Sequence, residues 1–215
     1  PFLLSNLRPE NIIPPNSVVT TMKHPTTTND VSIAVVVEHR YALYFWINFR
    51  NAHPTASPPD LFSMDFHDDL YAAENPEEDA ELDTELKTLD LDNADQMLLF
   101  SANHLCQQNA DHLYHAMKLN IIGDVYSVVK VAEHAKDQTI TDVHGNPHKI
   151  TYLKSPDDLI DKCVRNESLI WDIDLDYFAS SQPDMNGGPT PLQPGCKIRK
   201  QLNPRQDWML HIMPN

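Results

Sequence analysis

Three aspartates alternate with large apolar residues in the run IWDIDLDYF at residues 170–178: Asp172, Asp174 and Asp176. Because successive side chains of a β-strand point to opposite faces, a strand here would place all three carboxylates on one face. Buried carboxylates on one face repel one another and lose their hydration, and a bound cation removes both costs. An exposed strand with an acidic face is the alternative, but the large apolar neighbours favour burial. The run therefore predicts a metal-binding strand.

A second group of metal-binding residue types lies in LFSMDFHDD at residues 61–69. It is typical of a short apolar strand that ends in Asp65, His67 and Asp69. The two-residue spacing places Asp65 and His67 on one side of the strand end, and Asp69 can reach back from the following turn. Carboxylate and imidazole ligands without thiolate suit a divalent ion such as manganese. A polar loop would explain this motif alone, but two such clusters on separate strands favour a metal centre.

A third candidate ligand, His39, follows the apolar, β-branched run at residues 31–37. Such a run is typical of a central strand in a parallel sheet, and the aromatic-rich residues 40–50 predict a helix after it. Open α/β sheets bind their ligands at the carboxyl ends of the strands. A lone histidine is more often a hydrogen-bonded core residue. Here the position matches the ends of the other two clusters, so we interpret His39 as a ligand.

The composition fits one cytoplasmic domain. A chain of 215 residues can bury a substantial core, and no apolar run is long enough to cross a membrane. The three cysteines, Cys106, Cys163 and Cys196, are widely spaced and typical of reduced thiols. A formal net charge of -15 argues against nucleic acid as a partner. The same charge would favour a cationic ligand, although solubility alone also explains it.

The remaining segments predict the elements that position these residues. We expect an irregular, proline-rich arm over residues 1–30, followed by one catalytic domain over residues 31–215. The acidic insertion at 74–95 is either a mobile lid or the start of a solvated helix. Further expected elements are a helix at 96–120, a strand at 124–131, a hairpin insertion at 138–153, a helix at 155–166 and little regular structure after residue 180.

These motifs together resemble the arginase/deacetylase superfamily. In particular, VVEH at 36–39, DFHDDL at 65–70 and DIDLDYF at 172–178 resemble a divergent branch that includes the peptide arginases. Peptide arginases convert arginine side chains of ribosomally made peptides to ornithine. The resemblance covers roughly residues 31–178, and the aspartate-rich motif is its most specific part. It implies an α/β fold of three α/β/α layers around a mostly parallel sheet, with two Mn²⁺ ions per chain.

The resemblance also implies roles for individual residues. The first ion would be held by His39, Asp65, Asp69 and Asp172, and the second by Asp65, His67, Asp172 and Asp174. Asp176 would then orient a neighbouring ligand. His104 is the candidate proton shuttle, whereas the family's late acidic residue that grips the guanidinium has no clear counterpart after Phe178.

The implied function is manganese-dependent hydrolysis of arginine guanidino groups in a ribosomally made precursor peptide, giving ornithine and urea. Two ions about 3.5–4 Å apart can acidify a shared water for this attack. Two alternatives stay open. One is another metal-dependent amidohydrolase or deacetylase of the superfamily, and a deacetylase typically holds one zinc. The other is a non-catalytic metal-containing protein that binds peptides. The sequence does not identify the peptide or distinguish a monomer from a homo-oligomer.

Overall fold

The computed structural model describes residues 13–24, 29–54, 57–71, 75–105, 111–130, 136–163, 169–178 and 209–214. Within these residues the chain forms eight strands: β1 Val18–Lys23, β2 Asp30–Val36, β3 Asp60–Asp65, β4 Val125–Val129, β5 Gln138–Thr141, β6 Pro147–Tyr152, β7 Leu169–Asp174 and β8 Met209–Pro214. It also forms five α-helices: α1 Ala42–Ala52, α2 Pro76–Leu86, α3 Ala94–Asn103, α4 His112–Lys118 and α5 Pro156–Cys163. Two 3₁₀ turns follow strands: His39–Tyr41 is separated from the end of β2 by two residues, and Leu175–Phe178 follows β7 directly.

All eight strands belong to one sheet, in the order β1-β2-β8-β7-β3-β4-β6-β5. Strands β7, β3, β4 and β6 pair in parallel. Strand β8 is antiparallel to both β2 and β7, so β2 runs in the same direction as those four. Strands β1 and β5 close the two edges in the antiparallel sense. The expected α/β class with a mostly parallel sheet is therefore confirmed.

The alternation of side chains along β3 and β7 divides the core between the two faces of the sheet. Leu61 and Ile170, which are fully buried, face the larger core, to which Trp46 and its neighbours in α1 contribute. Phe62 lies on the opposite face and packs with Leu159 of α5. Because every second residue shares a face, Asp65 of β3 and both aspartates of β7 lie on the face that α1 covers.

The pairing register fixes which aspartates are neighbours. Ser63 of β3 is opposite Asp172 of β7, and Met64 is opposite Ile173. In a parallel pair this register brings Asp174 level with Asp65 at the strand ends. Asp172 lies two residues, or about 6.6 Å, deeper along its strand.

Several elements differ from the expectations. Residues Val18–Lys23, expected in an irregular arm, form an edge strand because β2 offers a free edge for pairing. The helix expected at 96–120 is instead two helices, α3 and α4. The hairpin at 138–153 forms, but β6 also pairs with β4 and so extends the central sheet. In the region expected to lack regular structure, β8 joins β2 to β7.

The acidic segment at 74–95 contains helix α2 and the start of α3. The Asn75 side chain accepts hydrogen bonds from the backbone amides of Glu77 and Glu78, and Pro76 occupies the first helical position, so α2 has a well-formed N-terminus. For residues 75–95, the solvated helix is therefore the better of the two interpretations. Among the helices in the described part of the chain, none has the length and apolarity needed to cross a bilayer.

Candidate metal centre

Three strands deliver acidic and imidazole side chains to one end of the sheet. Asp65 is the last residue of β3, Asp174 is the last residue of β7, and His39 opens the 3₁₀ turn after β2. All three residues are buried. The expectation that these strand ends meet is therefore met, and their side chains form one cluster.

His39 divides this cluster into two sides. On its Nδ1 side lie Oδ2 of Asp69 at 2.6 Å, Oδ2 of Asp65 at 3.5 Å and Oδ2 of Asp174 at 3.6 Å. On the other side, Nε2 lies 2.9 Å from Oδ2 of Asp172, at hydrogen-bond distance. The two nitrogens of one imidazole ring thus face different carboxylates.

His67 and Asp176 form a second group on the far side of Asp65. Nδ1 of His67 lies 3.4 Å from Oδ2 of Asp176 and 3.9 Å from Oδ1 of Asp65. The other oxygen of Asp176 accepts a hydrogen bond from the Phe66 amide at 3.1 Å. Asp65 therefore presents one oxygen to His39 and the other to His67. The His67 side chain is 43% exposed, so this group lies nearer to solvent.

Local backbone structure holds these carboxylates in place. Oδ1 of Asp65 accepts from the amide of His67 at 2.8 Å, and Oδ1 of Asp174 accepts from the amide of Asp176 at 2.9 Å. Asp69 has a φ of 46°, in the left-handed region that few residues other than glycine adopt. This conformation turns the chain after β3, and the Asp69 carboxylate contacts His39.

Burial and mutual repulsion disfavour the ionised carboxylates. Burial raises the pKa of Asp65 well above its usual range, and the charges of Asp69 and Asp174 add to this. Burial, together with Asp176, raises the pKa of Asp174 to about 7. Burial would also raise the pKa of Asp69. The charge of His39 and its contact with Asp69 outweigh this effect, so the pKa of Asp69 is lowered.

His39 carries the compensating positive charge. Burial alone would lower its pKa, but the carboxylates of Asp172 and Asp69 raise it well above the ordinary value. The pKa of His67 is also raised, first by its contact with Asp176. Protons on these groups thus neutralise a cluster that a divalent cation would neutralise directly.

The donor atoms have the spacing that a metal ion requires. Three groups of donor atoms lie within 4.8 Å of one another: His39, Asp69 and His112; His39, Asp65 and Asp174; and Asp65, His67 and Asp176. Donor atoms each about 2.0–2.2 Å from one ion lie at most about 4.4 Å apart, so little adjustment is needed. Oδ2 of Asp65 is buried and accepts no hydrogen bond from the described residues. Oxygen and imidazole donors without sulfur fit Mn²⁺.

His112 is a member of this cluster that the sequence interpretation missed. It is fully buried at the start of α4, and its ring centroid lies 3.9 Å from that of His39. Its Nδ1 lies 3.9 Å from Oδ2 of Asp69, and its Nε2 lies 3.9 Å from Oδ2 of Asp172. Helical periodicity could have indicated this position, since His112 is one turn before the buried Ala116.

The structure does not bring His104 to the cluster. His104 follows α3, is 53% exposed, and contacts Oε1 of Glu85 in α2 through Nδ1 at 2.8 Å. It also stacks on Phe100. Among the described residues, His104 belongs to none of the three groups of donor atoms that are spaced for a metal ion, called the metal-capable groups below.

Neither a scan of protein-family models nor a search of curated proteins finds a match to this chain.

Proposed function

We propose that this chain is a cytoplasmic binuclear manganese hydrolase with an arginase-like three-layer α/β/α fold. It cleaves the guanidino group of arginine residues in a ribosomally made precursor peptide and gives ornithine and urea. The observation that supports this best is the arrangement around Asp65. One carboxylate oxygen faces His39 and the other faces His67, and each imidazole lies beside a further aspartate. A carboxylate shared in this way can bridge two ions.

The distances favour a ligand set shifted along β7 from the one that the resemblance implies. His39, Asp65, Asp69 and Asp174 would hold the first ion through groups that surround Nδ1 of His39. Asp65, His67 and Asp176 would hold the second. Asp176 thereby becomes a ligand, whereas Asp172, on the Nε2 side of His39, leaves the ligand set.

The proposed chemistry follows from the charges of this site. Two divalent ions held here would lower the pKa of a water molecule, whose oxygen would add to the guanidinium carbon as the bond to the side-chain nitrogen breaks, giving urea and the ornithine amine. The chain's own residues attract the cationic substrate, since the net charge of -15 favours a basic peptide. The partly exposed side of the centre, next to His67, gives the substrate its approach.

Manganese content and urea release test this proposal. We expect about two Mn²⁺ per chain by elemental analysis, and urea together with ornithine-containing product from arginine-containing peptides. Asp65→Asn should abolish both, because one carboxylate serves both ions. Asp68→Asn is the matched control, since Asp68 belongs to the same motif but lies outside the metal-capable groups of the described residues.

The other outcomes separate the rival functions. One tightly held zinc would contradict the binuclear centre and favour a deacetylase. Two Mn²⁺ ions with hydrolysis of other amides but no urea would favour a different amidohydrolase. Peptide binding without turnover of any substrate would favour the non-catalytic alternative.

A further inference from the structure

We infer that Asp172 is a positioning residue that orients His39 and does not itself bind metal. This inference rests on the metal centre of the proposed function and assigns one residue within it. The side chain of Asp172 is almost completely buried, and its Oδ2 lies 2.9 Å from Nε2 of His39. An aspartate in this place contacts the far nitrogen of a metal ligand and can orient its imidazole ring.

The geometry of the imidazole ring separates Asp172 from the proposed ions. The two ring nitrogens point in different directions, so the ligand atoms gathered around Nδ1 lie away from a carboxylate bound at Nε2. Asp65, Asp69 and Asp174 are within 3.6 Å of Nδ1. Among the described residues, the metal-capable groups do not include Asp172.

The strand register gives independent support. Asp172 is paired with Ser63, whereas Asp174 lies level with Asp65 at the end of the sheet. Asp172 is thus about 6.6 Å deeper along its strand than the aspartate proposed as a ligand. Asp174 lies 3.6 Å from Nδ1 of His39, whereas Asp172 lies 2.9 Å from Nε2 of the same ring.

A carboxylate at Nε2 has a defined effect on a histidine ligand. It accepts the Nε2 proton, which fixes the ring so that the Nδ1 lone pair faces the metal and becomes more basic. His112 packs against the same pair, with its ring centroid 3.9 Å from that of His39 and its Nε2 3.9 Å from Oδ2 of Asp172. This contact restricts rotation of the His39 ring.

The first test compares Mn²⁺ binding by matched variants of the full chain. Asp172→Asn keeps an oxygen that can accept from Nε2, so it should retain two ions with affinity close to that of the unmodified protein. Asp172→Ala should retain the sites with affinity lowered about 10–100-fold. Asp174→Asn should lose the first ion, and Asp68→Asn should change nothing. Loss of an ion in Asp172→Asn, with two ions retained in Asp174→Asn, would overturn the inference.

The second test observes the nitrogen that binds metal. We would label histidine with ¹⁵N, load the protein with diamagnetic Cd²⁺, and record the imidazole resonances. His39 should bind Cd²⁺ through Nδ1 and keep a slowly exchanging proton on Nε2. That proton should persist in Asp172→Asn and exchange rapidly in Asp172→Ala. Coordination of Cd²⁺ through Nε2 in the unmodified protein would overturn the inference without any variant.

The two proposals can fail separately. Coordination through Nδ1 without urea release from any arginine peptide would refute the hydrolase while the role of Asp172 stands. Urea release by a protein in which His39 binds through Nε2 would refute the role of Asp172 alone. No metal bound to the unmodified chain would overturn both.

Discussion

Metal-free protein should lose stability as the pH rises from about 4 to about 7, and Mn²⁺ should restore it. Burial, together with Asp176, raises the pKa of Asp174 to about 7 in the folded chain, whereas an aspartate in an unfolded chain titrates near 3.8. Between these values the folded state keeps a proton that the unfolded state has released. The free energy of unfolding therefore decreases as the pH rises through this window.

The magnitude follows from the size of the shift. A rise from 3.8 to about 7, at about 1.4 kcal/mol per pKa unit, corresponds to about 4 kcal/mol. About 3 kcal/mol of this falls between pH 5 and pH 8. Asp65 acts in the same direction, because its pKa is also raised. His39 does too, since its contribution is present below its unfolded pKa and is lost as the pH rises through its folded value.

Asp69 opposes this trend only at low pH. Its pKa is lowered in the folded chain, so its contribution is present above its unfolded pKa and is lost as the pH falls through the folded value. That window lies below about pH 4 and leaves the comparison of pH 5 with pH 8 unaffected.

Denaturant unfolding at pH 5 and pH 8 measures this effect, with a chelator and with Mn²⁺. Asp174→Asn is the key variant, because an amide of nearly the same shape does not ionise. Without metal, its stability should decrease by about 3 kcal/mol less than that of the unmodified protein over this pH interval. With Mn²⁺ it should gain less stability than the unmodified protein. Equal pH dependence in the two metal-free proteins would refute the reasoning, and this comparison removes the general repulsion of a chain with a net charge of -15.

Two further predictions concern the elements that support the site. Leu159 is the fully buried anchor of α5 against Phe62, so Leu159→Ala should lower the free energy of unfolding by about 2–5 kcal/mol. Ile160→Ala should change it by at most about 0.5 kcal/mol, since Ile160 is 55% exposed. A methyl group at Gly123 would lie 2.6 Å from Oδ1 of Asp60, whose strand carries Asp65. Gly123→Ala should therefore cost about 1–3 kcal/mol in denaturant unfolding, and an unchanged midpoint would contradict the close approach.

The sequence was informative about which face of β7 carries the site and uninformative about how far along it the site lies. Alternating side chains place Asp172, Asp174 and Asp176 on one face of an extended chain. A shift of two residues leaves that face unchanged, so periodicity cannot decide which two of the three meet Asp65. The pairing of Ser63 with Asp172 decides it, and strand register is a property of two distant segments.

His112 was missed for a related reason. Its neighbourhood predicts a helix, but the contact with His39 depends on how α4 packs against the strand ends. The split between α3 and α4 makes His112 the first residue of a new helix, which a continuous helical pattern conceals.

For the edge strand β1, by contrast, the local sequence already carried the signal. Its residues VVTTMK have strong strand propensity, but nearby prolines favoured an irregular segment in the sequence interpretation.

The acidic strand ends tie the stability of the sheet to the charge that the site holds. Pairing of β3 with β7 brings Asp65 level with Asp174, and two ionised carboxylates in that buried position would repel each other. In the metal-free chain, protons on the carboxylates and on His39 relieve this repulsion. A divalent cation relieves it without protons and leaves the carboxylates ionised. The cluster should therefore bind metal more tightly as the pH rises and its protons become easier to remove. Metal binding should in turn stabilise the sheet whose strand ends form the site.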